Sequence, residues 1–417
     1  MLATGKKILC VRDGDATDYA LDILDPKVLG RTVIAQCQKT LDATLDFSTS
    51  SNIALEDSEA LLLYAWQELN TGKWASVDGN WHKVYAAASW MKAVSYFRCN
   101  MDSPTVWSDI VKLCDMGHLM GGDVWNGILI RTISNAEEFI QSQTKQISDS
   151  TPESSVAPLK RLKASLRPSI QYLIPEVCQP YLSDFQDLHF RQKRSVVLKH
   201  CMDDWPALEK WSPEYIRQLC GSRTVPVEIG RRYTDDDWTQ ELMTIGAFID
   251  KYIYMKDNPE HKIAYLAQHD LFSQAPVLKE DIAPPDYIAF CGDDDPDMNA
   301  WFGPEGTVSP LHYDPKHNFL CQVMGEKYVR LYSESQTEFL YPHAPGMLNN
   351  TSQVDVENPD LSQFPAFEKA SFYEYILEPG DILYIPPREW HFIRSLSISF
   401  SVSFWFNESK SGSTSNL

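Results

Sequence analysis

The chain has 417 residues, with 37 Lys and Arg against 57 Asp and Glu, a net charge of −20. That length exceeds one compact core, and that acidity excludes a general nucleic-acid binder. With 43% apolar and 12% aromatic residues global disorder is excluded as well, and two domains of roughly 100 to 250 residues are expected. Lys6 and Lys7 are followed by Arg12, Asp13 and Asp15, which break any apolar run, so no signal peptide is read. No apolar stretch reaches the roughly 20 residues needed to cross a bilayer, and a soluble intracellular protein is expected. The nine cysteines are odd in number, scattered and without a CxxC pair, which favours free thiols over disulfides or a zinc site.

Apolar residues recur at three and four from Leu61 to Trp66 and from Val84 to Tyr96, the period of amphipathic helices. The break around Asn70-Thr71-Gly72 and Asp78-Gly79-Asn80 separates them. A further helix starts after Ser103-Pro104 and ends near Gly121-Gly122. A helical domain is expected over residues 1–140. The Gln, Ser and Thr rich run QSQTKQISDSTPESS within 136–158 has too little apolar area to order itself, and a flexible linker is placed over 141–165. Residues 166–407 hold most of the acidity, and their short β-branched or aromatic runs are Ser195–Lys199, Val225–Ile229, Phe319–Val323, Tyr328–Tyr332, Ile382–Ile385 and Ile398–Phe404. Helical inserts are read at Pro213–Leu219 and Trp238–Tyr252. Many short strands with Gly, Pro, Asn and Asp turns predict an antiparallel barrel or sandwich, hence an α+β chain. A disordered Ser and Gly rich tail is expected over 408–417.

In Leu311-His312-Tyr313-Asp314 the imidazole and the carboxylate share one face of an extended segment. By itself this pair is as frequent as chance allows, and a surface or turn pair is its other reading. A third candidate strengthens it: EPGDILYIPPREWH at 378–391 reads as a turn, a short strand, a proline stop and then His391. Two histidines and one carboxylate leave positions open on an iron for an oxygen-donor cosubstrate and dioxygen; on zinc the same set would suit hydrolysis. The last strand, Ser397 to Trp405, carries hydroxyls on one face together with Trp405 and apolar residues on the other. Small residues there leave room beside a ligand, with an aromatic at the mouth.

These stretches resemble the Jumonji-C oxygenases of the cupin superfamily. The match rests on HYD at 312–314, NFL at 318–320, GEKYVRLYS at 325–333, NTSQVDVENPD at 350–360, PGDILYIPPREWH and SVSFWF at 401–406. SVVLKHCMDDWPALEKW, RTVPVEIG and YLAQHDLF upstream match one branch of the family, and the resemblance covers at least 180–407. It implies a double-stranded β-helix, Fe(II) on His312, Asp314 and His391, and 2-oxoglutarate and dioxygen as cosubstrates. Lys327 would then meet the distal carboxylate of 2-oxoglutarate, with Asn318, Ser309 and Tyr265 as further polar contacts. Asn318 lies four residues beyond Asp314 and so on its face if the strand is regular. Trp301, Trp405 and Glu228 would receive a cationic side chain, Arg by preference since it stacks and takes bidentate hydrogen bonds; core tryptophans and a strand-end Glu are the alternative. The implied activity is arginine hydroxylation in a protein substrate. Histone methyl-lysine demethylation, histone-tail proteolysis and a metal-free partner-recruiting scaffold are the alternatives, and nuclear residence follows from the resemblance alone. The helical domain either binds a protein partner or packs on the barrel. His317 lies near the site, His343 and His269 read as turn or helix residues, and Arg191, Lys193 and Arg194 read as a solvated surface.

Overall fold

A computed structural model describes residues 2–11, 19–71, 77–148, 168–235, 237–255, 262–290, 292, 295–346 and 348–408. They fall into two units, Met1–Pro158 with Ser222–Thr224, and Leu159–Gly221 with Val225–Leu417. Among the described residues the first holds six α-helices: α1 (Leu2–Ile8), α2 (Pro26–Leu45), α3 (Ser51–Leu69), α4 (Gly79–Cys99), α5 (Val106–Gly121) and α6 (Ile128–Ser148). Asp25 and Asp78 cap α2 and α4 by accepting the N–H groups of Lys27 and Asn80, orphan donors that otherwise go unpaired. Gly122, at φ 73°, ends α5, as a residue without Cβ can. α4 is central: Trp90, Met91, Val94 and Phe97 are fully buried, and Trp90 stacks on Tyr19 at 4.9 Å. α6 continues through Ser148, past the boundary expected at residue 140. The remainder of the expected linker from residue 149 to 165, and the tail from residue 409, lie outside the described residues.

Among its described residues the second unit contains thirteen strands, one of them starting at Thr224 in the boundary segment. In chain order they are β1 (Glu176–Cys178), β2 (Val196–Lys199), β3 (Thr224–Ile229), β4 (Thr239–Thr244), β5 (Ala264–His269), β6 (Asp297–Gly303), β7 (Val308–His312), β8 (His317–Met324), β9 (Lys327–Tyr332), β10 (Tyr373–Leu377), β11 (Ile382–Ile385), β12 (Trp390–Ser395) and β13 (Ser399–Phe406). One sheet has nine strands in the order β1-β2-β11-β8-β13-β6-β5-β3-β4, the other four in the order β10-β9-β12-β7. β1 and β2 run parallel, and the pairs of the four-stranded sheet are antiparallel.

Leu320, Leu383 and Ile385 of the large sheet share one apolar cluster with Val329, Leu331 and Ile393 of the small one, which is the interior between the sheets. Burying each such side chain contributes ~1.5–3 kcal/mol. On β13, Phe400, Val402, Phe404 and Phe406 belong to a different cluster, packed by helices on the outer face of the large sheet. The alternation read from the sequence is therefore real, with the hydroxyl face turned inward. β8 is buried on both faces for the same reason, His317, Asn318 and Gln322 included. The insert expected as helix over Trp238–Tyr252 divides: Thr239–Thr244 is a strand at the sheet's edge, and helix begins only at Ile245, where the Thr244 hydroxyl caps Ala247 N–H. Edge pairing to β3 outweighs helical spacing over those six residues.

Candidate active site

β7 and β12 pair with His391 opposite His312, which sets the two imidazole rings 4.2 Å apart between centroids. Asp314 completes the group: one carboxylate oxygen lies 3.5 Å from His391 Nε2 and the other 3.9 Å from His312 Nε2. Each histidine donates from Nδ1 to a backbone carbonyl, His312 to Pro310 at 2.7 Å and His391 to Glu389 at 3.0 Å. A carbonyl only accepts, so each Nδ1 carries a proton, and both Nε2 atoms lie toward Asp314. Burial, with the neighbouring His312 adding to it, pushes His391 down to about 4, so the ring is neutral at physiological pH. Ligand atoms of the three residues lie within 4.8 Å of one another. Two imidazoles and one carboxyl group converging in this way suit a borderline divalent metal with open positions.

Nine of the ten residues singled out in the sequence line one cavity: Tyr265, Trp301, Ser309, His312, Asp314, Asn318, Lys327, His391 and Trp405, with Leu320 and Ile393 between them. Lys327 is 1% exposed and donates to the Tyr265 hydroxyl at 3.1 Å. Burial alone pulls its ammonium down to about 7. The same burial, with Glu228 adding to it, raises the Tyr265 phenol well above its ordinary value, while a hydrogen bond with Ser309 opposes the rise. Among the described residues, Asn318 Oδ1 and Trp405 Nε1 are buried without a hydrogen-bond partner. The Lys327 ammonium and the Trp405 indole N–H are donors of the kind a carboxylate accepts from, so the cavity fits a carboxylate of 2-oxoglutarate as well as the metal.

Three local expectations need correction. The chain leaves β7 at His312 and re-enters β8 at His317, so no regular strand carries Asn318 onto the face of Asp314; Asn318 arrives instead on the inward face of β8, opposite Trp405 and Ile385. His317, one residue before, points outward, stacks on Phe190 at 4.5 Å and meets the Tyr384 hydroxyl at 2.9 Å; it is a core residue. The inward serines Ser399, Ser401 and Ser403 are not among the residues that line the cavity. Ser403 accepts from Trp301 Nε1 at 2.9 Å and Ser401 donates to Gln322 at 2.6 Å.

Glu228 lies outside the cavity lining but directly across the strand pair from Tyr265. Its carboxylate accepts the Trp238 indole N–H at 3.3 Å, and burial raises its pKa. Sequence reasoning missed Trp238, and also Tyr233, whose phenol reaches Thr351 at 3.2 Å. Burial pushes Tyr233 up to about 12, with Asp314 and Glu228 adding to the rise. Both follow β3 in an irregular stretch with no periodic signal. His269 ends β5 and contacts Gln274 at 2.7 Å, His343 lies in a loop, and Arg191, Lys193 and Arg194 are exposed as expected.

The double-sheet barrel and its inward triad define a cupin-like oxygenase, and residues 182–412 match the family described as "Cupin-like domain". The chain belongs to the Jumonji-C branch of that family, whose members use Fe(II) and 2-oxoglutarate. Residues 45–151 match "KDM8-like, N-terminal ARM repeats". The chain is similar to Lysine-specific demethylase 8 of Danio rerio, 42% identical over 98% of this chain and 100% of the relative. It is also similar to Jumonji C domain-containing protein 5 of Drosophila melanogaster, 37% identical over 83% and 85%, and to Lysine-specific demethylase JMJ30 of Arabidopsis thaliana, 36% identical over 86% and 87%.

Proposed function

We propose that this oxygenase hydroxylates an arginine side chain of a protein substrate, with release of succinate and carbon dioxide. The observation that carries the reading is Glu228. Its carboxylate is largely buried, is held by a single indole N–H, and has no Lys or Arg pairing with it among the described residues. A guanidinium would supply the missing positive charge, and Trp301 and Trp405 line the cavity together with Tyr265, which lies across the strand pair from Glu228.

In this reading His312, Asp314 and His391 hold the metal, which with its cosubstrate supplies oxygen activation. Lys327 and the Tyr265 hydroxyl receive the far carboxylate of 2-oxoglutarate, with Asn318 and Ser309 as further polar contacts. Leu320 and Ile393 keep water from the cavity floor. Glu228 orients the guanidinium so that one side-chain carbon faces the open side of the metal.

Methyl-lysine demethylation is the second reading, favoured by the names of the Danio rerio and Arabidopsis thaliana relatives. It uses the same cavity and differs only in the guest. Mass spectrometry of arginine and methyl-lysine peptides incubated with protein, Fe(II), 2-oxoglutarate and oxygen separates the two. Gain of one oxygen on Arg is expected; loss of methyl with Arg untouched would replace the proposal. Glu228→Gln is expected to lower kcat/KM on the Arg peptide roughly 30-fold or more, the value of a charge-assisted pair at about 2 kcal/mol. Undiminished turnover would remove Glu228 from recognition. Residence in the nucleus is part of the proposal by family resemblance, and imaging of the tagged chain checks it.

A further inference from the structure

A ligand within a β-ladder is held by its neighbours, whereas one beyond the strand end needs another support. His312 is the last residue of β7 and pairs with His391. Asp314 comes two residues later, where no ladder fixes its backbone.

Asn350 takes over that task. Its backbone carbonyl accepts the Tyr313 N–H at 3.0 Å, and its side-chain Nδ2 donates to the Tyr313 carbonyl at 2.8 Å. Both backbone polar groups of the residue between the two ligands therefore end on one asparagine. The support continues along the loop: Thr351 bridges to His312, and Ser352 N–H donates to Leu311 O at 2.8 Å. The Asp314 carbonyl is held from the other side by the Arg388 N–H at 2.8 Å. The loop itself is anchored, since Arg232 pairs with Asp355 at 2.8 Å, Arg394 with Glu357 at 2.7 Å, and Arg330 donates to Val356 O at 3.2 Å. An amide clamped to a pinned loop replaces the missing ladder bonds.

We propose that Asn350 is a positioning residue of the metal centre, setting the Tyr313 backbone so that the Asp314 carboxylate meets both histidine Nε2 atoms. Asn350→Asp keeps the shape of the side chain, removes the donor and turns an oxygen toward the Tyr313 carbonyl. The inference rests on the ligand set proposed above, so the test reads both separately.

The full chain is titrated with Mn(II), free metal being read from its electron paramagnetic resonance signal. Wild type is expected to bind, and Asn350→Asp to bind about tenfold or more weakly, as outer-shell changes do. Gln353→Ala, on the same loop but bonded to Pro342 O, is expected to match wild type. A purely structural role predicts the reverse signature, a lower melting temperature with affinity intact. Asn350→Asp within threefold of wild type, folded by circular dichroism, would overturn the inference; Asn350→Ser, too short to reach Tyr313 O, carries the test if the aspartate variant does not fold. His312→Ala reports on the ligand set: wild-type affinity in that variant would sink the set itself.

Discussion

Replacing Lys327 by Met should stabilise the metal-free protein while destroying cosubstrate binding. The ammonium is 1% exposed, has a tyrosine hydroxyl as its partner, and burial takes it from its ordinary 10.5 to about 7. A fall of about 3.5 pH units at ~1.4 kcal/mol each makes the charged form up to ~5 kcal/mol dearer in the folded chain. Because the folded pKa lies below the unfolded one, the unfolded chain binds the extra proton between about 7 and 10.5. The penalty is therefore complete at or below pH 7 and vanishes as pH rises through 10.5. Met has nearly the same length and no charge to desolvate, so the variant should melt at least ~5 °C higher at pH 7, taking ~2–4 °C per kcal/mol for a domain of this size. The gap should close near pH 10. A buried charge pair with the dicarboxylate is worth ~2–5 kcal/mol, so 2-oxoglutarate affinity should fall at least about 30-fold. Scanning calorimetry at the two pH values and calorimetric titration of 2-oxoglutarate with Mn(II) measure both. A variant that melts lower than wild type at pH 7, or binds 2-oxoglutarate within threefold of it, would refute the reasoning.

Other outcomes follow from the same contacts. Burial lowers His317 to about 4, so it stays neutral when folded but takes a proton when unfolded below 6.5; stability should be lost as pH falls from 6.5 toward 4, by up to ~3 kcal/mol. His317→Phe, which keeps the stack on Phe190, should flatten that acid limb in urea titrations at pH 7 and 4.5; an unchanged slope would show that His317 does not cause it. Gly325 sits at φ 71°, and a Cβ there would come 2.0 Å from Ile398 O. Gly325→Ala should therefore cost at least ~2 kcal/mol, and an unaltered denaturation midpoint would mean the β8–β9 turn can relax. Glu228→Gln should leave Mn(II) and 2-oxoglutarate binding at wild-type values while slowing Arg turnover; joint loss of all three would place Glu228 in the fold's support instead.

Side-chain type and local spacing by themselves left HYD as a chance pair; it was the family resemblance of HYD, PGDILYIPPREWH and GEKYVRLYS that pointed to His312, Asp314, His391 and Lys327. Legible from local pattern alone are α3, α4 and α5, whose periodicity and turn residues act within a few positions, and the alternation of β13. Tertiary structure decided what depends on partners far away in the chain. It chose which of His317 and Asn318 faces the cavity, since only the packing of the two sheets distinguishes inward from outward on a strand buried on both sides. It made Thr239–Thr244 a strand through pairing with β3. It enclosed Lys327, which turns an ordinary lysine into a cation short of an anion. It brought Tyr233, Trp238 and Asn350 to the site from loops with no periodic signal, because hydrogen bonds such as that from Asn350 to Tyr313 join residues whose closeness no local pattern encodes.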